Sequence, residues 1–188
     1  MENNAPLDLK DLFDEKPEIK YHAAKKSIQV SLVDPGSLYP DLGTFEKFLT
    51  GENNVLRWTA TKVIGNLSGV DTKNKIDKNI PTLISFVTDG SLITAANAVA
   101  ALSLIAKNKP RFKEEILKAL FSVEKATYYN KGAPSPECRN VVLGHVLASL
   151  PNFGEDIYSR QDIRELLERQ TKNTRPKVRA TAEKLLEK

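Results

Sequence analysis

The sequence predicts an all-α protein, a right-handed α-solenoid of about four to five stacked helix pairs. Three observations carry that prediction. Apolar residues recur at three and four positions, the spacing of one face of an α-helix. Turn-forming clusters cut the chain into segments of helix length: "DPG" at 34–36, "SGVD" at 68–71, "TDGS" at 88–91, "NKP" at 108–110, "KGAPSP" at 131–136, "LPNFG" at 150–154 and "NTRP" at 173–176. Several of the segments between them then repeat one another about every 40 residues.

The elements follow in chain order. "YHAAKKSIQVS" (21–31) lies in a helix running on from Glu18; "SIQVSLVDPG" alternates briefly like a strand but continues the helical pattern. "GTFEKFLT" (43–50) is a short amphipathic helix, followed by "RWTATKVIGNL" (57–67). "KNIPTLISFVT" (78–88) precedes "AANAVAALSLI" (95–105), and "PRFKEEILKALFSVEKA" (110–126) precedes "NVVLGHVLASL" (140–150). Pro110 suits a first helical turn, where its missing N–H costs nothing. "RQDIRELLERQTK" (160–172) precedes "RATAEKLLEK" (179–188). The second helix of each pair carries a common frame: Ala24/Ile28, Ala60/Ile64/Leu67, Ala98/Leu102/Ile105, Leu143/Leu147/Leu150 and Ala182/Leu186. The first anchors are spaced 36, 38, 45 and 39 residues apart, the long interval holding the insertion "YYNKGAPSP". The repeating unit is thus an amphipathic first helix, a turn and an anchored second helix. One pair is too thin to bury its own apolar face, and stacking supplies the cover. Residues 17–188 form one repeat domain in this reading, with 1–16 an N-terminal extension that is flexible or caps the first repeat.

Composition narrows the function. The 188 residues are 40% hydrophobic and 28% charged, ordinary for a globular chain long enough for one sizeable core. Lys and Arg exceed Asp and Glu by 28 to 24, too small an excess to demand a nucleic-acid partner. A single cysteine, Cys138, cannot form an internal disulfide, which points to a reducing compartment. The N-terminus lacks a basic stretch followed by an apolar run, and no segment has the length of a membrane span. A cytoplasmic protein without membrane contact is expected. The two histidines, His22 and His145, and Cys138 have no zinc-site spacing. Cys138 and His145 stand seven positions apart, about 10 Å along a helix. No Gly-rich phosphate loop or Gly-x-Ser-x-Gly is present. The expectation is a non-catalytic protein with no cofactor and no metal.

"IPTLISFVTDGSLITAANAVAALSLIA" resembles an armadillo or HEAT repeat, and "VIGNLSG" resembles the end of an armadillo third helix. Two helices per unit and the Val-Arg-x-x-Ala form of "KVRATAEKLL" are closer to the HEAT variety. The resemblance covers residues 17–188. It implies a solenoid whose second helices line a concave, partner-binding face. In armadillo proteins that face carries a Trp four residues before an Asn; here Asn66 matches the Asn and Lys62 stands in the Trp place. HEAT-like DNA glycosylases share the fold, and none of their catalytic residues is matched.

Stepping about 100° per residue around the second helices places the candidate contacts. With Ala60, Val63, Ile64 and Leu67 inward, the single tryptophan, Trp58, falls opposite with Thr61, Lys62 and Gly65, while Asn66 flanks. Trp58 either meets a partner, for which an indole offers a large rigid surface, or packs under a neighbouring element. The same row holds His22, Lys25, Lys26 and Gln29 in the first repeat and Ala96, Val99, Ala100 and Ser103 in the third. It holds Val141, Gly144, His145 and Ala148 in the fourth and Ala180, Glu183 and Lys184 in the fifth. Small residues would let a partner approach closely, and the lysines favour an acidic segment. The expected partner is therefore a protein contacted by Trp58, Lys62, Asn66, Lys25, Lys26, His22 and His145, with a homodimer as a variant. The alternative is nucleic acid, its phosphates gripped by Lys73, Lys75, Lys107, Lys109 and Arg111 in the basic connections "KNKIDKN" and "KNKPRFK".

Overall fold

A computed structural model describes residues 7–188; the first six residues, part of the expected N-terminal extension, lie outside the described residues. The chain divides into two compact units, Met1–Ile76 and Asp77–Lys188.

In the first unit a 3-10 turn, Leu9–Phe13, precedes α1 (Pro17–Val33), α2 (Pro35–Leu38), α3 (Leu42–Leu49) and α4 (Asn54–Leu67). Proline at the first turn starts α1 and α2, and the Asn53 side chain caps α4 by accepting from the Leu56 N–H at 3.1 Å. α3 turns Leu42, Phe45, Phe48 and Leu49 inward against α4, which answers with Leu56, Ala60, Val63, Ile64 and Leu67. α1 meets α4 through small residues, Ala23, Ala24, Ser27 and Ser31. The two buried hydroxyls stay satisfied by donating back to their own helix, Ser27 to the Ala23 carbonyl at 2.8 Å and Ser31 to that of Ile28 at 2.7 Å. The turn Leu9–Phe13 packs on α1 with Leu12 fully buried, and Phe13 sets its ring 5.2 Å from that of Phe48. The described part of the extension therefore covers the flank of α1.

The second unit contains α5 (Ile80–Phe86), α6 (Leu92–Asn108), α7 (Lys113–Phe121), α8 (Pro136–Ser149), α9 (Gln161–Gln170) and α10 (Pro176–Leu186). α6 packs against α5, α7 and α8, and α10 against α8 and α9, so the second helices of successive repeats stack side by side. Ala98, Leu102 and Ile105 of α6 and Val142, Val146 and Leu147 of α8 are fully buried between them. Ser91 and Ser135 cap α6 and α8 through their hydroxyls.

Each first helix is preceded by a short 3-10 turn: Tyr39–Asp41, Asp77–Asn79, Pro110–Phe112 and Glu155–Ser159. The unit is therefore a helix pair led in by a short turn. Residues 110–126, expected as one helix, are accordingly a turn, α7 and a second turn, Ser122–Glu124. The insertion after α7 is a two-residue hairpin, β1 (Tyr129–Asn130) with β2 (Ala133–Pro134). Its turn uses Lys131 and Gly132 at φ of 48° and 81°, the positive values a tight hairpin needs. Buried Tyr128 anchors its base by donating to the Val87 carbonyl at 2.6 Å.

Candidate interaction surfaces

The first surface is the row left uncovered where α1 lies beside α4. Asn66 donates its side-chain N–H to Ser31 Oγ at 2.8 Å, which fixes the two helices against each other. His22 and Lys25 on α1 and Lys62 on α4 are exposed, and Lys26, Trp58 and Asn66 are half-buried. The ammonium groups of Lys25, Lys26 and Lys62 have no ion-pair partner among the described residues. Two neighbours expected on this row are elsewhere: Thr61 and Gly65 are buried. A projection that knows one core direction puts them outside, but α4 is contacted by both α1 and α3, so more of its circumference is covered. Thr61 satisfies its hydroxyl on the Arg57 carbonyl at 2.9 Å. What remains is a narrow basic strip beside a half-buried indole.

The second surface belongs to the other unit. Val99 and Ser103, expected on the open row of α6, are buried, and Ser103 Oγ accepts from Asn152 Nδ2 at 2.9 Å. Ala96 remains half-buried and Ala100 exposed. Between α8 and α10 runs a depression of about 180 Å³ walled by Val141, Gly144, His145 and Ala148 on one side and Lys177 and Thr181 on the other. A second hollow of about 560 Å³ shares Ala148, Lys177 and Thr181 and continues to Pro151, Lys184 and Lys188. His145, Ala148, Ala180 and Lys184 are exposed, as expected. Gly144 is not an open floor for a visitor: a Cβ there would lie 3.2 Å from Val178 Cγ2, so the missing side chain lets α10 approach α8. Lys177 and Thr181 were missed by the sequence reading because its last frame begins at Arg179. The signal was available, since Lys177 lies seven positions before Lys184, on the same helical face.

The basic connections are more structured than their composition implied. Lys73 and Lys75 are exposed, with Lys75 Nζ 5.7 Å from the Tyr39 ring centre. Buried Asp71 organises this segment by accepting from the Tyr39 hydroxyl and from the Lys75 and Ile76 N–H groups at 2.9 and 3.0 Å. Burial, with the hydrogen bond to Asp71 second, pushes the Tyr39 phenol up to about 12. In the other connection Lys107 is exposed, but Lys109 departs from its expected role. It is 5% exposed, with Nζ 3.1 Å from Asp77 Oδ1, and Arg111 is paired with the same carboxylate. Burial alone would raise the Asp77 carboxyl; hydrogen bonds from Arg111 and Lys109 hold it below the usual carboxylate range. Two of the five candidate phosphate contacts thus share one carboxylate, Lys109 buried and Arg111 exposed. A positive charge fixed on a nearby carboxylate is not visible in a lysine count.

Chemistry-bearing groups do not gather. Cys138 is buried in the first turn of α8, while His145 is exposed two turns on. No group of three His, Cys, Asp or Glu that could hold a metal occurs among the described residues. No helix among them is long and apolar enough to cross a membrane.

No protein-family model matches the sequence, and no curated protein matches it. Solved structures do. A designed armadillo repeat protein superposes with a TM-score of 0.61 at 18% identity, over 95% of this chain and 79% of that one. A second, in complex with the peptide (KR)4, gives 0.64 at 16% identity, over 95% and 78%. A third, computationally designed for modular peptide recognition, gives 0.61 at 18% identity, over 95% and 79%. The chain therefore has the α-solenoid fold of armadillo-type repeat proteins. At these identities the likeness extends to the fold alone.

Proposed function

We propose that this chain is a non-catalytic interaction scaffold that binds a segment of a protein partner, acidic in character, along the exposed strip of α1 and α4. The observation that carries the reading is the strip itself. Three lysine ammonium groups without counter-charges, Lys25, Lys26 and Lys62, share two hydrogen-bonded helices with a half-buried indole, Trp58, and an amide, Asn66. Unpaired cations beside a rigid aromatic favour a carboxylate-bearing segment with an apolar anchor. The peptide bound by one designed armadillo relative supports a peptide-sized ligand for such a fold, though that peptide is basic.

A direct test uses a fluorescein-labelled peptide of alternating Glu and Leu. Binding should shift Trp58 emission to the blue. Trp58→Ala should weaken affinity by roughly 30-fold, the loss of a typical anchor of about 2 kcal/mol, with little change in melting temperature. If Trp58→Ala instead collapses the melting temperature while leaving affinity intact, the indole is structural and this site is wrong. A single-stranded oligonucleotide, titrated against salt, distinguishes the nucleic-acid reading. Binding that exceeds the peptide's and falls steeply with salt would favour Lys73, Lys75 and Lys107 as phosphate contacts.

A further inference from the structure

We infer that the groove between α8 and α10 is a second docking site, separate from the α1–α4 strip, for an acidic amphipathic helix of a partner protein. The two hollows share Ala148, Lys177 and Thr181 and together follow both helices. The middle of this trough is lined by small side chains, Ala148, Ala180 and Thr181, which allow another helix to come close without a clash. Thr181 is unavailable as a donor, since its hydroxyl is spent on the Lys177 carbonyl at 2.8 Å. The trough therefore offers shape and charge in place of neutral hydrogen bonds.

The charge is one-sided. Neither hollow is lined by an Asp or a Glu, while Arg175, Lys177, Lys184 and Lys188 stand along the α10 bank. Two of these are answered internally: Arg175 pairs with Glu137, and Lys188 lies 3.7 Å from Glu155 with its ammonium 4.9 Å from the Tyr158 ring centre. Lys177 and Lys184 are exposed, and their ammonium groups have no partner among the described residues. A trough whose lining offers two unanswered cations and no anion, Glu183 being exposed on α10 outside that lining, is complementary to an acidic occupant.

The spacing of those cations favours a helical occupant. Lys177 and Lys184 are seven residues apart on α10, two helical turns, or about 10.5 Å along the axis. A helix lying alongside places carboxylates at i and i+7 on one face at that same distance, with small apolar residues at i+3 and i+4 left to meet Ala148 and Ala180. In an extended chain, residues on one face are separated by about 6.6 or 13 Å, a less close match.

The test uses the full chain and three 15-residue fluorescein-labelled peptides of one composition: a helix with Glu at i and i+7 and Ala/Leu between, a scrambled order, and the helical order interrupted by a central proline. The expected result is that the helical peptide binds at least about fivefold more tightly than either control and shifts the amide resonances of α8 and α10. The double variant Lys177→Glu/Lys184→Glu, surface changes that leave the melting temperature in place, should weaken it by at least about tenfold. Trp58→Ala with Lys62→Glu should leave that binding unchanged, which separates this site from the α1–α4 strip. Equal binding of the three peptides, indifference to the lysine reversals, or no binding by any peptide at about 1 mM would overturn the proposal. So would an oligonucleotide that displaces the helical peptide from the trough at equal charge. A chain that runs as a dimer, dissociated by the same lysine reversals, would assign the trough to a second copy and overturn it as well.

Discussion

Lys109 shows how a single buried charge is made tolerable. Its ammonium is almost withdrawn from water and stands 3.1 Å from Asp77 Oδ1, while Asp77 keeps a 27% exposed side chain and takes Arg111 as a second partner. Removing the carboxylate of such a pair takes the nearest opposite charge from a desolvated ammonium, which costs more than the pair gains net. Asp77→Asn should therefore destabilise the protein by about 2 kcal/mol, less than the 3–5 kcal/mol seen where both partners are fully buried. Urea denaturation at neutral pH measures it. The pH dependence has a definite sign. The Asp77 carboxyl is depressed in the folded state, so its contribution is complete above the unfolded value of about 4 and is lost as pH falls through the folded value. The stability difference between the native protein and Asp77→Asn should be flat above about pH 5 and shrink as the pH drops below about 4. A gap unchanged down to pH 2 would show that Asp77 acts without its charge.

At the scale of the helix pair, the contact between α8 and α10 turns on one missing methyl group. Alanine at position 144 would gain up to about 1 kcal/mol of helix propensity. Its Cβ would also sit 3.2 Å from Val178 Cγ2, and a β-branched side chain on a helix has little rotamer freedom to yield. Gly144→Ala should thus be destabilising by about 1 kcal/mol in the native background. In a Val178→Ala background, where the crowding is gone, the same change should stabilise by about as much as propensity allows. A double-mutant cycle by urea denaturation reads the reversal of sign; the same sign in both backgrounds would mean α10 slides to relieve the contact.

The helices themselves were legible because apolar spacing and turn residues are local signals, and Ala60, Ile64, Ala98, Leu102 and Ile105 are buried as the frame required. The face beyond the core was only half legible. Thr61, Gly65, Val99 and Ser103 look outward on a wheel with one core direction, yet a second helix that also touches the second helices beside it is covered over a wider arc. The pairing of Lys109 with Asp77 joins residues 32 positions apart, and no local pattern encodes it.

At the scale of the whole molecule, stability in a repeat fold is a sum over units and their nearest-neighbour contacts, so the same chemical insult should have different consequences at different places. In the Asp77–Lys188 unit, α6 is packed by α5, α7 and α8, whereas α10 packs chiefly on α8 and α9. Ala98 on α6 and Ala182 on α10 are both fully buried, so an aspartate at either place puts an unpaired carboxylate into apolar surroundings at a cost of several kcal/mol. The protein can escape that cost at Ala182 by releasing α10 and loosening α9. At Ala98 escape requires separating α6 from three helices together. Hydrogen exchange read by mass spectrometry should therefore find Ala182→Asp unprotected in α9 and α10 but still protected in α6. Ala98→Asp should lose protection across α5, α6, α7 and α8 in one step. If Ala182→Asp strips α6 as thoroughly as α10, this unit unfolds as one cooperative body and the nearest-neighbour description fails for it.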